Sequence, residues 1–219
     1  MKNFFVKTNI KKIITLAIVL VFFMQSLYIT YEPVLAVAAT ATDNVVITLT
    51  VDAGITITSP ADVTMAPNLG ISSNGSIGSS TWTVKTNNAL GYTLAVKASA
   101  APALVSGANS FADYTELAVG TPEAWSVPAA NKEFGYSAFG TGTPTGTWGT
   151  TATCGSAGIP DASMKYVGFK TTDKTVAQSA TATPSAGIAT TVCYAAEQDT
   201  LYAPSGVYTA TITATATTL

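Results

Sequence analysis

The sequence predicts an all-β protein: a single antiparallel β-sandwich, Ig-like or jelly-roll-like, of about nine or ten short strands, preceded by a helical signal peptide. Three observations carry this expectation. Period-two alternation of β-branched and aromatic residues recurs along the chain. Gly, Pro and Asn clusters interrupt it at short intervals. Nothing with helical periodicity follows the N-terminal apolar block.

The leader comes first. Lys2, Lys7, Lys11 and Lys12 precede the apolar residues 13–24, and Ala36-Val37-Ala38 offers the small residues of a cleavage site. That order is the order of a secretory signal peptide. It assigns residues 1–38 to the leader and 39–219 to one β-sandwich domain, secreted to the extracellular cell surface. Residues 13–29 are nearly long enough to span a bilayer, so membrane contact is expected only where the leader stays uncleaved.

The strands follow in order. In residues 45–51 (VVITLTV), Val45, Ile47, Leu49 and Val51 share one face, as expected of a half-buried strand. Asp52-Ala53-Gly54 turns the chain, and residues 55–58 resume the alternation. Residues 71–80 are rich in Gly, Ser and Asn, and Asn74-Gly75 favours a tight turn. Trp82, Val84 and Thr86 then alternate with Thr83 and Lys85, and Tyr92, Leu94 and Val96 with Thr93, Ala95 and Lys97. The two runs predict a hairpin turning at 87–91, with both lysines outward. Residues 111–114 predict a short helical turn or an aromatic-packing loop, and 134–139 a strand. Residues 141–153 form a Gly/Thr/Pro loop around Trp148. Further strands are predicted at 165–171, 187–195 and 206–218.

Composition narrows the chemistry. The chain has neither His nor Arg. That removes Ser-His and Cys-His nucleophile pairs, imidazole metal ligands and guanidinium clamps. No catalytic residue, metal site or cofactor is therefore expected. Without the leader's four lysines and Glu32, six lysines face eleven acids, a net charge of −5 on 181 residues. Such a surface argues against nucleic acid and anionic membranes as partners.

Cys154 and Cys193 are the only cysteines, and a pair in an exported chain predicts a disulfide. Trp82, Tyr92, Phe134 and Tyr136 fall on inward strand faces and are expected in the core. Trp148, in a loop without strand periodicity, is the candidate exposed contact for a ligand or partner. Trp125 and Phe139 could add to a sugar-stacking face. The scattered carboxylates, Asp113, Glu116, Glu123, Glu133, Asp161, Asp173, Glu197 and Asp199, are expected to be solvated surface acids.

Two stretches resemble a known layout. Residues 82–99 (WTVKTNNALGYTLAVKAS) and 204–218 (PSGVYTATITATATT) resemble the WxL-type surface domains of Gram-positive bacteria and similar exported β-sandwich proteins. In that family a G-W-x-L strand lies mid-domain and a G-x-Y-x-A-x-L-x-W strand closes the chain. Here Gly91-Tyr92-Thr93-Leu94 carries Tyr in place of the first Trp, and Ala214 stands where the second would be. The resemblance implies a cell-surface sandwich. The closing strand also resembles those of fimbrial subunits, which join by donating a strand.

These readings converge on a secreted, non-enzymatic structural or adhesive protein of the cell surface, with cell-wall polysaccharide or other surface proteins as candidate partners. One alternative is a filament or surface-layer subunit that self-associates by strand addition through residues 45–51 or 206–218. Another is a carbohydrate-binding module using Trp148.

Overall fold

The computed structural model describes residues 2–30 and 40–219, and within the first helix it describes side chains for 10–28. The expected cleavage site Ala36-Val37-Ala38 lies outside the described residues. Helix α1 spans Lys2–Thr30. Its stretch Ile10–Tyr28 is long and apolar enough to cross a membrane, a property a signal sequence shares. The chain divides into two units, Met1–Leu49 and Thr50–Leu219.

The second unit is built mainly of strands. Those of four or more residues are β1 (Ile55–Thr58), β2 (Gly75–Thr86), β3 (Tyr92–Ala98), β4 (Lys132–Gly140), β5 (Lys165–Gly168), β6 (Lys174–Ser179), β7 (Ile188–Gln198) and β8 (Ile212–Thr218). The larger sheet runs β1-β2-β7-β4-β5, with Glu123–Ala124 beyond β5 and Ala112–Asp113 parallel to β4. A second sheet runs β6-β3-β8, antiparallel throughout. Side chains from both sheets join one hydrophobic cluster: Trp82 and Val84 from β2, Tyr136 from β4 and Val192 from β7, with Leu94 and Val96 from β3 and Val176 from β6.

Period-two burial holds in β3, in β8 and in the second half of β2. Strand β3 alternates fully between buried Tyr92, Leu94, Val96 and Ala98 and half-buried partners. Lys85 is exposed, and Lys97 reaches out to Asp173 at 3.8 Å. The predicted hairpin, however, does not form. β2 pairs with β1 and β7, whereas β3 pairs with β8 and β6, so residues 87–91 carry the chain from one sheet to the other. Asn88 organises this crossing. Its side-chain oxygen accepts from the Leu90 N–H at 3.0 Å, and its carbonyl from the Gly91 N–H at 3.0 Å. Alternation records only that one face is buried, and this holds equally within one sheet or across two.

Three other elements depart from expectation. Residues 75–80, predicted as part of a turn-rich stretch, form the first half of β2, paired with β7 from Gly75↔Glu197 to Ser80↔Val192. A Cβ on Gly78 would lie 2.7 Å from a Val63 methyl, so glycine here admits the overlying chain rather than a turn. Residues 111–114 do pack their aromatics, with Phe111 and Tyr114 buried, but around a short strand, Ala112–Asp113, rather than in a helical turn or a loop. The last strand begins at Ile212, not 206. Strand β6 completes the smaller sheet, and a bulge between Thr175 and Ala177 breaks the alternation that would have marked it.

The largest difference lies at residues 45–51. They form no strand, and Val45, Val46, Ile47, Leu49 and Val51 are all exposed.

Candidate functional site

Trp82, Tyr92, Phe134 and Tyr136 lie in the main cluster, each less than a tenth exposed. Among the described residues, the Tyr92 hydroxyl is buried without a hydrogen-bond partner, and burial raises its pKa. Trp148 is a correction: the expected exposed contact is 1 % exposed. The cause is local. After Pro144 the chain makes one helical turn, α2 (Thr145–Trp148), whose Trp148 N–H donates to Pro144 O at 3.0 Å. That turn swings the indole onto Tyr136, with ring centroids 5.6 Å apart, and the Ser137 hydroxyl donates to Trp148 O at 3.3 Å. A Gly/Thr-rich loop lacks periodicity because it is irregular, and irregular segments also deliver plugs to a core.

Cys154 and Cys193 are joined as a disulfide, with Cα atoms 5.3 Å apart. Cys193 is fully buried in central strand β7, so the bridge ties the loop before β5 to the middle of the larger sheet. A second, smaller cluster surrounds it, formed by Tyr114, Met164, Tyr166, Cys193 and Ala195, with Trp125, Phe139 and Cys154 packed against them. Trp125 stacks on Tyr114 at 4.6 Å and meets Tyr166 edge-on at 5.2 Å. Its indole N–H donates to Glu197 Oε2 at 2.5 Å. Trp125 and Phe139 therefore cover the sheet rather than present a flat stacking strip. Gly135 permits this cover, since a Cβ there would lie 2.8 Å from Tyr114 Cβ and 2.9 Å from the Trp125 ring.

Two carboxylates that were expected in solvent are also buried. Glu116 is 4 % and Glu133 2 % exposed. Glu116 accepts the Gly168 N–H at 2.6 Å and the Gly120 N–H at 3.1 Å, tying its loop to β5. Among the described residues Glu133 keeps one oxygen, Oε2, without a partner, and it lines an open pocket with Asp113, Asn131 and Lys132. Desolvation raises its pKa, the Thr115 N–H opposes this, and the Glu116 charge adds to it. Asp113 is also raised by desolvation, against the Ala103 N–H and Lys170. The signal in the sequence was faint: Glu133, Gly135 and Ser137 share a strand face whose small residues mark it as covered.

The sign of the pH effect follows. A carboxyl with a raised folded-state pKa binds its proton more tightly in the folded chain, so stability falls as pH rises from the unfolded value, near 4.5, through the folded one. Glu133→Gln is expected to flatten this dependence and raise the urea midpoint at pH 7. An unchanged profile between pH 4 and pH 7 would place Glu133 in solvent.

Two of the sheet edges meet: among the described residues β8 pairs only with β3, and β1 only with β2, and the two strands lie beside each other without a ladder between them. Half-buried Ile55, Ile212, Ala214 and Ala216 pack from this side against the main cluster. Among the described residues, no group of three or more acids and cysteines is placed to hold a metal ion. No family model, no curated protein and no solved structure matches the chain.

Proposed function

We propose that this chain is an exported, non-catalytic protein of the cell surface, built as a single β-sandwich and serving a structural or adhesive role. The observation that carries this reading is how the reactive and aromatic side chains are used. Trp82, Tyr136 and Trp148 fill the core, Glu116 ties a loop to a strand, Glu197 holds the Trp125 indole, and the cysteines are bonded to each other. The chain has no His or Arg to supply other chemistry. The apolar leader and the disulfide support export. The cluster shared by the two sheets supports one sandwich. What faces solvent on β8 is Thr213, Thr215 and Thr217, a surface suited to packing or adhesion.

The test is location. Expressed with its own leader, the protein is expected outside the cell, with an N-terminus at Ala39, and retained on washed cells through polysaccharide or other surface proteins. Recovery of the whole chain from the cytoplasm overturns the reading.

A further inference from the structure

Residues 45–51 have strand sequence and no strand partner. Val45, Ile47, Leu49 and Val51, the four residues of one face, are 82 %, 90 %, 84 % and 74 % exposed. Among the described residues no backbone hydrogen bond engages the segment. Four large apolar side chains in one short segment are costly to leave in water.

β8 is the counterpart: among the described residues its ladder is with β3 alone, and it lies near β1 without a ladder to it. The hydrogen-bond phase of its ladder shows which side. The Ala98 N–H donates to Lys170 O at 2.9 Å, away from β8, whereas the Ser99 N–H donates to Thr211 O at 3.0 Å. In an antiparallel ladder the two kinds of pair alternate. Ile212, opposite Ala98, therefore aims its N–H and C=O outward, and so do Ala214, Ala216 and Thr218. Natural sheets guard such edges with Lys, Pro or bulges. Residues 205–219 contain no charge and no Pro, and the β8–β3 register has no bulge.

We propose that the chain assembles head to tail, with residues 45–51 of one copy adding as a strand to the outer edge of β8 in the next. This rests on the reading of an exported surface protein and names its partner as a second copy. Donor and acceptor match in length, at seven residues or about 23 Å each. They also match in size: large Val45, Ile47, Leu49 and Val51 of one copy would meet the small, half-buried Ala214 and Ala216 of the next. Both are uncharged, so no like charges meet as the strands pair. Residues 206–218 do not serve as the donor, because β8 is already paired with β3. The contact joins two different surfaces, so it propagates into a filament or ring rather than stopping at a dimer.

The experiment uses protein exported with its own leader. Size-exclusion chromatography with light scattering is expected to show multimers. The double variant Ile47→Asp/Leu49→Asp, altered only at exposed positions, is expected to be monomeric. Ala214→Pro removes one outward N–H while sparing the β3 ladder, and is also expected to be monomeric. Mixing the two is expected to give a complex of one copy each and nothing larger, since one brings a working donor and the other a working edge. A synthetic peptide of residues 43–53 is expected to bind the Ile47→Asp/Leu49→Asp chain, a readout that does not depend on Ala214→Pro folding. The proposal is overturned by a wild-type monomer at all concentrations, by multimers that survive the Asp substitutions, or by a monomer whose 45–51 amides are protected from exchange. A monomer retained on washed cells removes strand addition and leaves the surface role standing; a cytoplasmic chain removes the surface role itself.

Discussion

Trp148→Ala is expected to destabilise the protein by about 3–5 kcal/mol, the usual cost of emptying a buried aromatic site. The indole is 1 % exposed and lies against Tyr136, which stacks in turn on Phe169 at 4.3 Å. Phe169 is fully buried and continues the stack to Phe134 at 5.2 Å. Removing the indole leaves a cavity at the end of this row of rings, and one helical turn held by the Gly149 N–H to Thr145 O bond, 2.9 Å, cannot collapse to fill it. Trp148→Phe keeps most of the volume and is expected to cost clearly less. Urea denaturation followed by far-ultraviolet circular dichroism measures both. A loss below about 1 kcal/mol for the alanine variant would put the ring in solvent and restore Trp148 as a surface contact for sugar or protein.

Loss of the disulfide is expected to cost about 4 kcal/mol, the chain-entropy value for cysteines 39 residues apart. Cys193 is fully buried in β7, so Cys193→Ala is the clean replacement there, because a serine would bury a hydroxyl. Cys154, half-buried in its loop, takes Ser without that cost. The double variant is expected to keep its β signal and unfold at a lower temperature, with the loop before β5 opening first. Reducing the wild type is expected to add the mass of two hydrogens and shift its unfolding the same way. An equal midpoint with and without reductant overturns the assignment of this bridge as a structural clamp.

How far the sequence went is clearest at particular residues. Tyr92, Leu94 and Val96 could be placed inward from alternation alone, because a strand with one wet face must repeat every second residue. The cysteine pairing could be read because the chain offers one pair. The partner of β3 could not be read: the short segment 87–91 looks like a hairpin turn, yet it changes sheets, and its bonds are satisfied in either topology. Glu116 and Glu133 looked like surface acids because what buries them comes from segments without regular pattern, as the Gly120 and Gly168 N–H groups that Glu116 accepts lie 4 and 52 residues away in the chain.

By itself, then, the sequence determined which side of a strand faces inward, the cysteine pairing, and the apolar leader's fitness for export or a membrane. These depend on residue type and on spacing within a few positions. Tertiary structure alone decided which sheet each strand joins, that Trp148 plugs the core, that two carboxylates are buried, and that residues 45–51 form no strand and stay exposed. All four depend on backbone and side chains brought together from distant parts of the chain. Periodicity records that a face will be buried, but it does not name what will cover it.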